Sequence, residues 1–266
     1  MYLLLVNPKA GNGRYPRIKR SLMRALEKAK IKHKMVEIED LSDVPDLLAQ
    51  EVKESTNAVV AVGGNGTIAS VIDALADYDM PIGIIPVSPT NHLARMLGIK
   101  TWADGVKLLA HNQIRPKRLG KIGQRYFIGK LTIAPRRNLL KNILGRENWL
   151  KSFVGTNIAR SLKGLASVAC RLKLDNELLV NCQVSHMTIG LEDDAKRKMT
   201  IAIQTISGKK PIVSIFRANR CEIEGSLNMP ILSGNETIAN TPATIVAVSK
   251  TIPVVCPITT KEPAKV

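Results

Sequence analysis

The chain has 266 residues, 45% of them hydrophobic but only 3% aromatic, so it is long enough for two modest cores built from aliphatic side chains. Lys and Arg number 39 against 22 Asp and Glu, a formal charge of +17 that suits an anionic partner such as a nucleotide, a phospholipid surface or nucleic acid. The four cysteines (Cys170, Cys182, Cys221, Cys256) make no CxxC pair and no metal-ligand spacing with histidine, and no stretch approaches a membrane span. A reduced, cytoplasmic protein is therefore expected.

The opening run Tyr2 to Val6 reads as a strand, cut off by Asn7-Pro8 too soon for a signal peptide. The turn Asn7-Pro8-Lys9-Ala10-Gly11-Asn12-Gly13 leads into a basic helix reaching about Lys30. A second strand is expected from Lys34 to Glu39. A helix follows from Val44 to Glu54, with Asp43 and Asp46 favourably near its start. Next comes Ala58-Val59-Val60-Ala61-Val62, a β-branched run that suits a strand buried on both faces.

That strand breaks into Gly63-Gly64-Asn65-Gly66-Thr67. Thr67 is expected to cap a helix whose apolar face is Ile68, Val71, Ile72 and Leu75 and which ends near Asp77. Glycines here let a ligand touch bare backbone, and a helix start presents unpaired N–H groups and a positive dipole end, an arrangement suited to phosphate. The bland alternative is a plain strand-to-helix turn.

Pro81 to Pro86 reads as a short buried strand, Thr90 to Leu97 as the start of a helix, and Thr101 to Ala110 as another. Strands and helices alternating through glycine turns predict a parallel, right-handed α/β sheet with its ligand crevice at the strand carboxyl ends.

From Arg115 to Lys173 the chain carries fifteen Lys or Arg against the single acid Glu147. A strand is expected from Arg125 to Ile133, and an apolar helical pattern runs through Leu139, Leu140, Ile143, Leu144 and on to Leu165. The bland reading is a packed helix with a solvated basic face. The functional one is a surface for anionic lipid headgroups. So few aromatic residues leave little to stack on bases, so nucleic acid is not expected. From Arg171 to Pro257, alternation at 178–184, 199–203, 212–215, 221–223, 244–248 and 252–255 predicts an antiparallel β-sandwich, and the tail after Pro257 reads as disordered.

Gly63-Gly64-Asn65-Gly66-Thr67, then Pro81-Ile82-Gly83-Ile84-Ile85-Pro86, then Asn91-His92-Leu93-Ala94-Arg95-Met96-Leu97-Gly98-Ile99, resemble the diacylglycerol kinase catalytic-domain family. That family includes bacterial lipid kinases and the sphingosine and ceramide kinases, and its members read GGDGT and PLGIIPxGTxNDFAR-LGI at similar spacing. The resemblance implies a nucleotide-binding α/β domain over 1–114, a β-sandwich over 115–257 and a tail over 258–266. It also implies transfer of the ATP γ-phosphoryl group to a lipid hydroxyl with Mg2+, by a cytoplasmic protein peripheral to an anionic membrane.

By the same resemblance the nucleotide would meet Asn7, Gly11 and Gly13 (with Ala10 in a Ser position), Gly63, Gly64, Asn65, Gly66 and Thr67, and Thr90 and Asn91. The acids are thinned: Asn65 stands where the family has Asp, and Thr132 to Arg136 lacks its expected acid. Ser88-Pro89-Thr90-Asn91-His92 replaces Gly-Thr-x-Asn-Asp, and Glu39-Asp40 replaces an adenosine-side Thr. The remaining carboxylate is Glu236 or, if Gly234 is aligned instead, the neutral Asn235. We take Glu236 with Asn65 as the catalytic pair and assign no metal ligand. A non-catalytic nucleotide- and lipid-binding relative is the alternative, and a protein like the NAD kinases, which share GGDGT, is a third. The lipid and the oligomeric state are not legible.

Overall fold

A computed structural model describes residues 1–88, 90–135, 167–191, 198–207, 210–234 and 236–257. The first half alternates as the apolar runs predict: β1 (Tyr2–Val6), α1 (Ala10–Lys28), β2 (His33–Glu37), α2 (Val44–Glu51), β3 (Ala58–Gly63), α3 (Asn65–Leu75), β4 (Ile82–Pro86), α4 (His92–Met96) and α5 (Trp102–His111). The four strands are parallel in the order β2-β1-β3-β4.

Successive strand residues point to opposite faces, so each strand feeds two cores. Leu3, Leu5, Val59, Ala61 and Ile84 meet Val44 and Leu48 of α2 and Ile68, Val71 and Ile72 of α3. Leu4, Val6, Val60, Val62 and Ile85 meet Tyr15, Leu22 and Leu26 of α1 and Val106 and Leu109 of α5. β3 is buried along its whole length because helices cover both its faces.

The second half is made of strands: β5 (Ile114–Ile122), β6 (Arg125–Ile128), β7 (Lys130–Ile133), β8 (Val168–Leu174), β9 (Leu178–Val184), β10 (His186–Leu191), β11 (Met199–Ser207), β12 (Lys210–Ala218), β13 (Arg220–Gly225), β14 (Pro230–Ser233), β15 (Glu236–Asn240) and β16 (Ala243–Val255). One layer is an antiparallel sheet in the order β12-β11-β10-β7-β14-β15. The other, β16-β13-β8-β9, is continuous with the parallel sheet through β4. Leu131, Ile133, Leu172, Ile189, Ile201, Ile223 and Ile231 fill the space between the layers. The expected class, a parallel α/β unit followed by an antiparallel β-sandwich, is borne out.

In two places the chain is divided into strands differently from the expectation. The single strand expected over 125–133 is two, β6 and β7, parted at Gly129, whose φ of +75° lets the chain leave one sheet for the other. The two strands expected at 244–248 and 252–255 are one, β16, irregular in its pairing with β5 between Ala247 and Thr251. The first part of β16 pairs with β13 in the sandwich. Its end pairs in parallel with β4 at Val254 and Ile82, so Ile252, Val254 and Cys256 enter the first core. The helical pattern expected between Leu139 and Leu165, and the tail after Pro257, lie outside the described residues.

Candidate functional site

Three turns converge at the carboxyl ends of β1, β3 and β4. In the first, Gly11, Asn12 and Gly13 all take left-handed φ (67°, 53°, 76°), a conformation open to glycine and tolerated by asparagine. Asn7 anchors this turn: its Oδ1 accepts the Lys9 N–H at 3.0 Å, and its Nδ2 donates to Thr67 Oγ1 at 3.1 Å, joining the first turn to the second.

The second turn is Gly63 to Thr67. The first bond within α3 runs from the Ile68 N–H to the Gly64 carbonyl at 3.0 Å, so the N–H groups of Asn65, Gly66 and Thr67 precede the helix's own ladder. Thr67 was expected to cap this helix. Instead Gly64 holds the cap position without a side-chain bond, and Thr67 lies one turn inside, buried against Gly63, where any side-chain carbon would overlap it. Gly64 faces open space: apart from its chain neighbours, a side-chain carbon there would come no nearer than 4.0 Å to Asn91 Oδ1 and Ser88 Cβ.

The third turn is tied to the second. The Gly63 carbonyl accepts both the Val87 N–H at 2.9 Å and Asn91 Nδ2 at 3.0 Å. Asn91 is 2% exposed, and its Oδ1 has no hydrogen-bond partner among the described residues. Asn65 reaches across as well: Oδ1 accepts the Leu93 N–H at 3.1 Å and Nδ2 donates to the Thr90 carbonyl at 3.3 Å.

The sandwich contributes a carboxylate. Gly234, left-handed at φ +66°, turns the chain between β14 and β15 beside Asn65 and His92. This seats Glu236 on the bare Cα of Gly66, where a side-chain carbon would lie 2.5 Å from Glu236 Oε1. Burial raises the Glu236 pKa above the ordinary carboxylate value, and the nearby Arg125 guanidinium pulls it back down. Of the two sequence alternatives, Glu236 is thus beside the glycine turn. Asn235 lies outside the described residues.

From Gly66 a cleft of about 660 Å³ runs along α3 past Ser70 and Asp73, between Asp40 on one side and Arg125 on the other. Asp73 was not anticipated from the sequence. Its Oδ1 accepts the Tyr126 N–H at 2.7 Å, joining α3 to β6, and burial raises its pKa despite that bond. Only the helical spacing from Gly66 to Asp73 hinted that the two share a face. Asp40 is held below its ordinary pKa, chiefly by the Ser42 N–H it accepts at 2.9 Å.

These groups suit a nucleotide carrying Mg2+. The helix start at Gly64 to Thr67 offers N–H groups over an open glycine, and the cleft beyond has room for a nucleoside. Mg2+ usually keeps several waters and takes one or two carboxylates plus the phosphates, and of these Glu236 would supply one. Among the described residues no three His, Cys, Asp or Glu gather where they could hold a metal by themselves.

The fold and cleft define an α/β protein whose glycine turns open onto a cleft beside Glu236. Residues 1–122 match the family model described as diacylglycerol kinase catalytic domain, so the resemblance read from the glycine turns holds. The chain is 26% identical over 184 residues to a diacylglycerol kinase of Staphylococcus saprophyticus, covering 66% of this chain and 59% of that one. It spans between 31% and 59% of the length of the curated relatives it matches. Its fold is shared with a putative diacylglycerol kinase from Bacillus anthracis (TM-score 0.75, 17% identity, 97% and 95% of the two chains). An NAD kinase from Archaeoglobus fulgidus in complex with ATP also aligns (TM-score 0.53, 11% identity, 96% and 93%).

Proposed function

We propose that the chain binds ATP between its two layers and passes the γ-phosphoryl group to a lipid hydroxyl. The observation that carries this reading is the convergence of three turns, bonded through Asn7, Asn65 and Asn91, with the Glu236 carboxylate resting on Gly66. The phosphates lie over Gly63 to Thr67 and Asn7 to Gly13, and the nucleoside lies along α3 toward Asp40. Mg2+, bound with the nucleotide, supplies positive charge to the phosphates. Glu236 is the one family acid position still occupied by a carboxylate. Its raised pKa makes it a stronger base toward a lipid hydroxyl than an ordinary carboxylate.

A lipid acceptor requires approach to a membrane. No described helix is long and apolar enough to cross one. The basic stretch from Arg115 to Lys173 is our candidate docking face, its described part including the partly exposed Arg115, Lys117 and Lys121 on β5. The second reading, a non-catalytic nucleotide- and lipid-binding protein, is favoured by the Asn65 carboxamide, which is spent on Leu93 and Thr90. Likeness to an NAD kinase extends to the fold alone.

The test is Gly64→Val. A side-chain carbon at Gly64 would overlap no protein atom beyond its chain neighbours, so the variant should fold. It should lose at least tenfold in ATP affinity by calorimetry, together with any transfer of radiolabelled phosphate to mixed lipid vesicles. Unchanged affinity in the folded variant rejects the site.

A further inference from the structure

Met96 closes α4, and its side chain lies over Gly129, where the chain passes from β6 in the first sheet to β7 in the second layer. A side-chain carbon at Gly129 would overlap Met96 Cε and come within 2.6 Å of its sulfur. Position 129 thus needs glycine twice, for its left-handed φ and for the bare Cα on which the thioether rests. The Gly129 carbonyl accepts the Leu191 N–H at 2.8 Å, which pins the same residue to β10. At the other end of α4, Asn65 of the glycine turn holds the Leu93 N–H. α4 therefore links that turn to the junction between the layers.

Met96 is also open to solvent. At 40% it is the most exposed of the eight methionines; Met1 follows at 37%, whereas Met187, Met199 and Met229 are buried. Oxidation of a methionine adds an oxygen and turns an apolar side chain into a polar one. The added oxygen cannot point at Gly129, where the sulfur is already in contact, and a polar group gains nothing from a bare Cα. The side chain then turns to water and the contact opens.

We propose that Met96 is a reversible oxidation site whose sulfoxide frees α4 from Gly129 and so weakens nucleotide binding at the turns; the binding effect, though not the site, rests on the function proposed above. The sulfur lone pair attacks one oxygen of hydrogen peroxide, the O–O bond breaks, and the other oxygen leaves as water with both protons. Sulfur is oxidised by two electrons as the peroxide is reduced. Two thiols of a methionine sulfoxide reductase return the electrons, forming a disulfide and releasing the oxygen as water. The buried cysteines are poorer targets: burial pushes the Cys170 and Cys221 thiols up to about 12, which leaves little thiolate to react.

The test treats the full chain with limiting hydrogen peroxide and maps the oxidised peptides by mass spectrometry. Met96 should be oxidised ahead of Met187, Met199 and Met229. Its oxidation should lower the unfolding midpoint and reduce ATP affinity, by calorimetry, about fivefold, the low end of coupling between separate sites. Methionine sulfoxide reductase with dithiothreitol should restore both. Met96→Leu, which leaves Met1 oxidisable, should be indifferent to peroxide. Met96→Gln, a polar side chain of similar length, should show the lower midpoint and affinity with no oxidant. If the untreated chain binds no ATP, the nucleotide reading fails by itself, and the site is judged on the mapping and the midpoints. The proposal is overturned if Met96 is oxidised no faster than the buried methionines, if oxidised and untreated chains share midpoint and affinity, or if Met96→Leu loses as much under peroxide as the parent.

Discussion

Asn65 Oδ1 accepts the Leu93 N–H at 3.1 Å, so the side chain occupying the acid position of the glycine turn caps the start of α4. Its amide nitrogen is committed as well, to the Thr90 carbonyl at 3.3 Å. An aspartate could keep the first bond but would set a second oxygen against the Thr90 carbonyl.

Asn65→Asp is therefore expected to cost about 1 kcal/mol, a fall of roughly 2–4 °C in unfolding midpoint for a chain of this size. The displaced carboxylate would then be available on the cleft side. If the chain is a kinase weakened by a missing charge, magnesium-dependent turnover should rise while ATP affinity changes far less, because the cradling N–H groups are unaltered. Equal ATP binding, no lipid phosphorylation by either protein, and no effect of Glu236→Gln would together favour the binding-protein reading.

Glu236 predicts a pH signature. Burial raises its folded pKa above the ordinary carboxylate value, so the folded state holds that proton more tightly than the unfolded chain does. Its contribution is most favourable below the ordinary carboxylate pKa and is lost as pH rises through the raised value. Gln cannot ionise, so Glu236→Gln should unfold at a higher temperature than the parent at neutral pH. The gap should close as pH falls below the carboxylate range. Thermal melts across pH check this, and a gap that stays constant would contradict it.

Asp73 and Tyr126 join α3 to β6. Asp73→Ala leaves the Tyr126 N–H without its acceptor and should cost about 1.5–3 kcal/mol, the range for bonds to charged groups. Asp73→Asn keeps an oxygen at the same place and should cost less than half as much. Urea midpoints at unchanged m-value are the measurement, and equal losses in the two variants would reject the bond as the cause.

The glycine turns were legible because left-handed backbone and bare Cα positions require glycine locally, and the strands between them because burial on both faces leaves unbroken apolar runs. Asn7 and Asn91 were found at the right turns, but not their task of tying turns together. Asn65 to Leu93, Asp73 to Tyr126, and Gly66 to Glu236 join residues far apart in sequence, and no local pattern announces a partner across 28, 53 or 170 positions. For the same reason Thr67 read as a cap: the rule sees a hydroxyl near a helix start, not an asparagine sixty residues earlier that claims it.

The return of β16 to β4 sets an order of events during synthesis. The slots filled by Ile252, Val254 and Cys256 stay empty until the ribosome has released almost everything described here, so the nascent parallel sheet must wait with β4 unpaired on one side. Closing a contact between Ile82 and Val254 this late exposes aliphatic surface to chaperones and to neighbouring chains. A fragment cut to the boundaries of the family match would carry the same open flank permanently, and it should be recovered as aggregate rather than as a small nucleotide-binding domain.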